Sequence, residues 1–272
     1  MLRFLLPRRK ENVLNIVLVV SLLGLMAFVY SRLEVDDASG GRPLREESSD
    51  GDRPAAVRWQ MEHTRPDYSQ LRSGPGENGA PVQLSGADKE QGEKDMKTWF
   101  MNVVASDQIS LDRSLPDTRS AMCKAVKYDK DLPKASVVII FTDEAWTPLM
   151  RTVHSVINRS PPEYLHEVVL LDDNSQREEL KDKLTEYVKR FGGLVRLIRK
   201  TVRHGLIRAK LAGAKEATGD VVVFLDSHCE ANAGWLEPLL QRIKEKRSAV
   251  LCPIIDYISD QKNGRQQGCS RN

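Results

Sequence analysis

Three short polar clusters hold the residues best suited to chemistry. Asp226-Ser227-His228 follows the apolar run Val221 to Leu225. In extended backbone, residues i and i+2 point to the same side, so the Asp226 carboxylate and the His228 imidazole can share one divalent cation. Two protein ligands leave several coordination positions open, as a cation that binds a diphosphate requires. The same spacing also suits an aspartate that caps the next helix beside a surface histidine. Asp172-Asp173-Asn174-Ser175 follows a second apolar run, Val168 to Leu171. Asp173 can accept hydrogen bonds from a ribose or base there, or it can cap the helix after Ser175. Arg203 and Arg208 flank His204-Gly205-Leu206 at a helix start, a suitable place for phosphate. Both arginines also suit a solvated surface.

These clusters gain meaning from the elements that hold them. Ser136 to Phe141 is a β-branched run of the kind found in buried parallel strands. Thr147-Pro148 resembles an N-cap and first-turn proline, and Leu149, Val153, Val156 and Ile157 recur at helical spacing. Glu167 to Leu171 reads as a second strand. Ser175 with Glu178 reads as a capping box opening a helix toward Phe191, closed by Gly192-Gly193. A third strand is expected at 194–198, a helix from Leu206 to Thr218 stopped by Gly219, and a fourth strand at Val221 to Leu225. A helix from Trp235 to about Lys246 and a fifth strand from Ala249 to Ile255 complete the series.

Strands separated by helices of this length imply βαβ crossovers and a parallel sheet covered on both faces. The expected fold class is α/β, with a Rossmann-like nucleotide-binding layer. In open α/β sheets, ligands bind outside the carboxyl ends of the strands, where two of the acidic clusters fall. No G-x-G-x-x-G follows a strand, and no P-loop or G-x-S-x-G elbow occurs.

The chain as a whole is strongly segmented. Its 272 residues are 40% apolar, with 41 basic and 38 acidic side chains and a net charge of +3. Arg3, Arg8, Arg9 and Lys10, less Glu11, account for that entire charge. The balance gives no basic surface for nucleic acid. Val13 to Tyr30 contains no charged residue. Eighteen helical residues at about 1.5 Å each span about 27 Å, close to a bilayer core. Basic residues precede this run, and Arg32, Glu34, Asp36 and Asp37 follow it, which places the amino terminus in the cytosol. The alternative is a cleaved signal peptide, but Phe28-Val29-Tyr30-Ser31-Arg32 is a poor cleavage site.

The expected organisation is a cytosolic tail at 1–12, a transmembrane signal-anchor at 13–30 and a disordered luminal stem at 31–98. A folded region at 99–259 and a polar tail at 260–272 follow. Four cysteines are too few for a disulfide-built scaffold of this length.

Several motifs then occur in order: Phe141-Thr142-Asp143-Glu144-Ala145-Trp146, Arg151 to Val156, Leu171-Asp172-Asp173, Gly205 to Ala209, Phe224 to Glu230, Gly234 to Leu240 and Cys252 to Asp256. The series resembles the polypeptide N-acetylgalactosaminyltransferases, which initiate mucin-type O-glycosylation in the Golgi. It covers roughly Trp99 to Ser259. The resemblance implies a GT-A fold, UDP-GalNAc as donor, Mn2+ as cofactor and retaining transfer to Ser or Thr hydroxyls of proteins. It implies that Asp226 and His228 ligate the metal, Asp173 contacts the uridine and Arg203 lies at the nucleotide end of the donor. It also implies a single-pass type II Golgi membrane protein.

Thr142 departs from the family's usual histidine in FHNEA, and His204 stands where the family typically has glutamate. Family members continue into a second catalytic half, with the catalytic residues, and a lectin domain. The 260–272 tail matches neither, so the chain is expected to be inactive in transfer. Cys123 matches a family cysteine whose partner lies in that half, leaving it unpaired or free to mispair with Cys269.

Overall fold

The computed structural model describes residues 61–253, 255–259 and 265–266. In chain order the regular elements are α1 (Gly86–Trp99), α2 (Val103–Asp107), α3 (Ala121–Ala125), β1 (Ala135–Phe141), α4 (Trp146–Arg159) and β2 (Leu165–Asp172). They continue with α5 (Asp182–Val188), β3 (Val195–Arg199), α6 (Leu206–Glu216), β4 (Val221–Asp226), α7 (Glu237–Glu245), β5 (Tyr257–Ile258) and β6 (Arg265–Gln266). Short 3-10 turns occupy Glu77–Gly79, Glu178–Leu180 and Lys189–Phe191.

Four strands form a parallel sheet in the order β3-β2-β1-β4. The interior strands β1 and β2 are buried almost throughout, as their continuous apolar sequence requires. Residues of α4 (Leu149, Met150, Val153, Val156 and Ile157) pack with Val137, Ile139, Val168 and Leu170 of the sheet. Helix α6 lies against β1 and β2 and approaches closely at Gly213. A Cβ there would meet Val138 Cγ1 at 2.5 Å, so the position requires glycine's lack of a side chain.

At the amino edge of the sheet, Glu167 ties four segments together. It accepts hydrogen bonds from Ser136 Oγ (2.8 Å), Thr218 N and Oγ1 (both 2.7 Å) and Arg196 Nη1 (2.6 Å). Burial alone would raise the Glu167 pKa, but these hydrogen bonds outweigh it and hold the carboxyl at about 2.

The strand and helix order expected from 135 to 255 is present, with three local differences. The first is the fifth strand: the described residues of 249–255 form none, and Val250 is 98% exposed. Pro253 lacks a ladder donor, and an apolar run becomes a strand only where a neighbour accepts it. The only later pairing among the described residues is the two-residue antiparallel ladder of β5 and β6. β4 is therefore an edge strand, with Val222 and Phe224 well exposed.

Helix caps account for the other two. Thr147 is not the N-cap of α4, a place taken by Ala145. Nor does the Ser175–Glu178 capping box form, because the Ser175 hydroxyl accepts the Asp143 amide instead (2.9 Å).

The stretch expected to be a disordered stem is ordered from residue 61 onward. Its helix α1 buries only Gly92, so good helix formers such as Lys, Glu, Gln and Ala sustain it rather than an apolar stripe. A search for apolar periodicity misses such an element. Val82, Ala105 and Ile109 build a small satellite core. Residues 62–68 are held by polar contacts: the Glu62 and His63 amides donate to Arg190 O, Arg65 Nη1 donates to Ser160 O, and Arg159 stacks 3.5 Å over the Tyr68 ring. The expected anchor at 13–30, the cytosolic tail, the stem as far as residue 60 and most of the 260–272 tail lie outside the described residues. Among the described residues, no helix is long and apolar enough to cross a membrane.

Candidate functional site

Parallel register brings the strand ends into one row. Ile140 pairs with Asp226, Phe141 with Asp172, and Asp172 with Arg199. The chain winds from β1 through β2 to β3 on one side, then returns to the other side of β1 as β4. The strand order therefore reverses between β1 and β4, where an open α/β sheet leaves a crevice for ligands.

Glu144, three residues past β1, stands at that crevice. Its Oε2 accepts hydrogen bonds from Ser227 Oγ (2.6 Å) and His228 Nδ1 (2.9 Å), and its Oε1 accepts the Ala145 amide (3.0 Å). Burial would raise the Glu144 pKa, but hydrogen bonds from His228 and Ser227 prevail and lower it. The same hydrogen bond raises the His228 pKa. A carboxylate at Nδ1 makes that nitrogen the donor and leaves Nε2 with its lone pair. The His228 side chain is 55% exposed, and Asp226 is exposed at the end of its strand.

The loop carrying these two residues is anchored from below. Thr152 Oγ1 donates to Ser227 O (3.0 Å), and the Ala231 amide donates to Ser155 Oγ (2.9 Å). Glu230 receives a two-pronged contact from Arg113, through Nε and Nη2, each at 2.7 Å. Both side chains are almost completely buried, and Arg151 Nε lies 3.9 Å away. Removing one partner from such a pair leaves an uncompensated buried charge, so the pair fixes the loop firmly.

Asp173 is 2% exposed. Its Oδ1 accepts the His204 amide (2.9 Å) and its Oδ2 the Gly205 amide (2.8 Å). It therefore holds the turn into α6, where Gly205 adopts φ +81°, rather than capping a helix after Ser175. His204 Nδ1 also lies 3.4 Å from Oδ1, and Oδ2 retains a second lone pair for a ligand. Arg203 lies exposed on that turn. Arg208 lines, with Lys200 and Lys215, a shallow groove on the flank of α6.

The sequence clusters missed two contributors. Asp143, at φ +51°, accepts the Gln176 and Arg177 amides on Oδ1 and so ties the loop after β1 to the loop after β2. Glu144 orients His228. Both lie at the carboxyl end of a buried strand, and the rule that singled out Asp173 and Asp226 applies equally to them. Cys123 is a free, exposed thiol, while Cys269 lies outside the described residues.

The parallel sheet, its reversal point and the acidic strand ends define a GT-A type nucleotide-sugar transferase fold. Residues 136–269 match the family model described as "Glycosyl transferase family 2". The chain belongs to the polypeptide N-acetylgalactosaminyltransferase family. It is 59% identical over 263 residues to "Probable N-acetylgalactosaminyltransferase 9" of Caenorhabditis elegans, covering 96% of this chain and 45% of that one. It is 53% identical over 192 residues to human "Polypeptide N-acetylgalactosaminyltransferase 13", covering 71% of this chain and 34% of that one. The crystal structure of GalNAc-T7 with UDP, GalNAc and Mn2+ superposes with a TM-score of 0.72 at 40% identity, covering 84% of this chain and 43% of that one. The chain thus spans less than half the length of these relatives.

Proposed function

We propose that this chain supplies the donor-binding half of a transferase that moves GalNAc from UDP-GalNAc to Ser or Thr hydroxyls of proteins. The observation that carries this reading is the Glu144–His228 hydrogen bond at the reversal point of the sheet. A ligating histidine characteristically commits its other ring nitrogen to a carboxylate, and His228 does so while Nε2 remains available. One carboxylate oxygen from Asp226 and one imidazole nitrogen from His228 form a donor set that suits Mn2+ with open positions. When bound, the cation would stabilise negative charge on the departing diphosphate.

The remaining roles fall to the chain's own residues. Asp173 rigidifies the turn that carries Arg203 and offers the spare lone pair of Oδ2 to the uridine. Arg203, exposed on that turn, supplies positive charge to the phosphates. The anchored loop at 226–231 keeps both cation ligands in place without rearrangement. The same reading has the chain anchored once in the Golgi membrane with its carboxyl side in the lumen. Support for that is the uncharged run 13–30 behind Arg3, Arg8, Arg9 and Lys10.

Calorimetry on the purified chain tests the donor reading. UDP should bind with Mn2+ present, and the heat should vanish with EDTA or with Asp226→Ala. A chain with an intact circular dichroism spectrum and no Mn2+-dependent heat would overturn it.

A further inference from the structure

A second group of ligand-type side chains lies away from the strand ends. His63, Asp112 and His154 each offer one donor atom, and the three atoms lie within 4.8 Å of one another. His154 sits eight residues into α4, about 12 Å along the helix from the end that faces the crevice. Its surroundings are well defined. Nδ1 hydrogen-bonds Asp112 Oδ1 at 2.8 Å, and Nε2 hydrogen-bonds the Tyr187 hydroxyl at 2.9 Å. Asn158 bridges the other two residues: its Nδ2 donates to Asp112 Oδ1 at 2.6 Å, and its Oδ1 lies 2.7 Å from His63 Nε2. Phe191 packs against both imidazoles, with ring centroids 5.3 and 5.5 Å away.

We propose that His63, Asp112 and His154 form a zinc site that staples the segment before the sheet domain onto α4. Two imidazole nitrogens and a carboxylate oxygen match zinc's preferred ligands, and water would complete a tetrahedron. At zinc–ligand distances of about 2.0–2.1 Å, tetrahedral ligands stand about 3.4 Å apart. His154 and Asp112 would open slightly from 2.8 Å, and the widest separation would close by about 1.4 Å. His154 is fixed in a buried helix. Asp112 and His63 lie outside any helix or strand, so they can supply the movement.

The outer partners are already present. An aspartate can only accept from His154 Nδ1, so the neutral ring carries its proton there and Nε2 accepts from Tyr187. Zinc at Nδ1 moves that proton to Nε2, and the Tyr187 hydroxyl turns from donor to acceptor, so no proton is lost. Asp112 Oδ2 and His63 Nδ1 have no hydrogen-bond partner among the described residues and are free to take part.

The full chain, stripped with EDTA and dialysed, would be titrated with Co2+ and then Zn2+. Co2+ should produce a tetrahedral visible band, which one equivalent of Zn2+ bleaches. With Asp226→Ala as the common parent, so that the strand-end site takes up no Co2+ or Zn2+, His63→Ala and the near-isosteric Asp112→Asn should each weaken binding at least about tenfold. Circular dichroism would establish that each variant is folded, and His63→Gln would replace His63→Ala if that variant is not. Equal zinc binding by the Asp226→Ala parent and both variants, or no binding by the folded parent, overturns the site.

Discussion

Replacing Glu167 by glutamine tests how the sheet's amino edge is held, far from the row of acidic strand ends. Its carboxylate is 6% exposed and accepts four hydrogen bonds from three other segments. Folding lowers its pKa from the ordinary 4.5 to about 2. At about 1.4 kcal/mol per pH unit, that difference stabilises the fold by about 3 kcal/mol. The direction follows from the sign of the shift. A depressed carboxyl contributes fully above pH 4.5 and loses its contribution as the pH falls toward 2.

Glu167→Gln removes the charge and turns one amide end into a donor facing Arg196 or the Thr218 amide. We expect a loss of about 2–4 kcal/mol near neutral pH. Urea unfolding followed by circular dichroism measures it, with the slope unchanged between wild type and variant. The ionic part of the deficit should shrink from about 3 to about 2 kcal/mol when the measurement is repeated near pH 3.5. A deficit below about 0.5 kcal/mol at neutral pH, or one that widens on acidification, refutes the assignment.

Two further outcomes separate positioning from packing. Glu144→Ala should weaken Mn2+-dependent UDP binding by about 10–100-fold without altering the circular dichroism spectrum, because the tautomer and orientation of His228 lose their constraint. Calorimetric affinities within twofold of wild type would remove Glu144 from the site. Gly213→Ala should lower the melting temperature even though alanine favours helix by about 1 kcal/mol, because its Cβ would lie 2.5 Å from Val138 Cγ1. A raised melting temperature would show that α6 can move off the sheet at little cost.

Local pattern determined much of this protein. Apolar runs, helical spacing and glycine stops located β1 to β4 and the helices between them, because those features depend on near neighbours in sequence. The same runs pointed to Asp173 and Asp226, since a buried parallel strand must end where its apolar residues give way to polar ones.

Tertiary structure decided the partners. Glu144 meets His228 across 84 residues only because β4 pairs with β1, and no local pattern specifies strand order. Asp173 binds the turn into α6, 31 residues on, for the same reason. The apolar run at 249–255 has strand composition, but its described residues pair with no neighbouring edge. His63 is brought to His154 by backbone hydrogen bonds to Arg190, although its own segment carries no periodic signal. Periodicity is written in one dimension, whereas the pairing of charges depends on which surfaces the fold brings together.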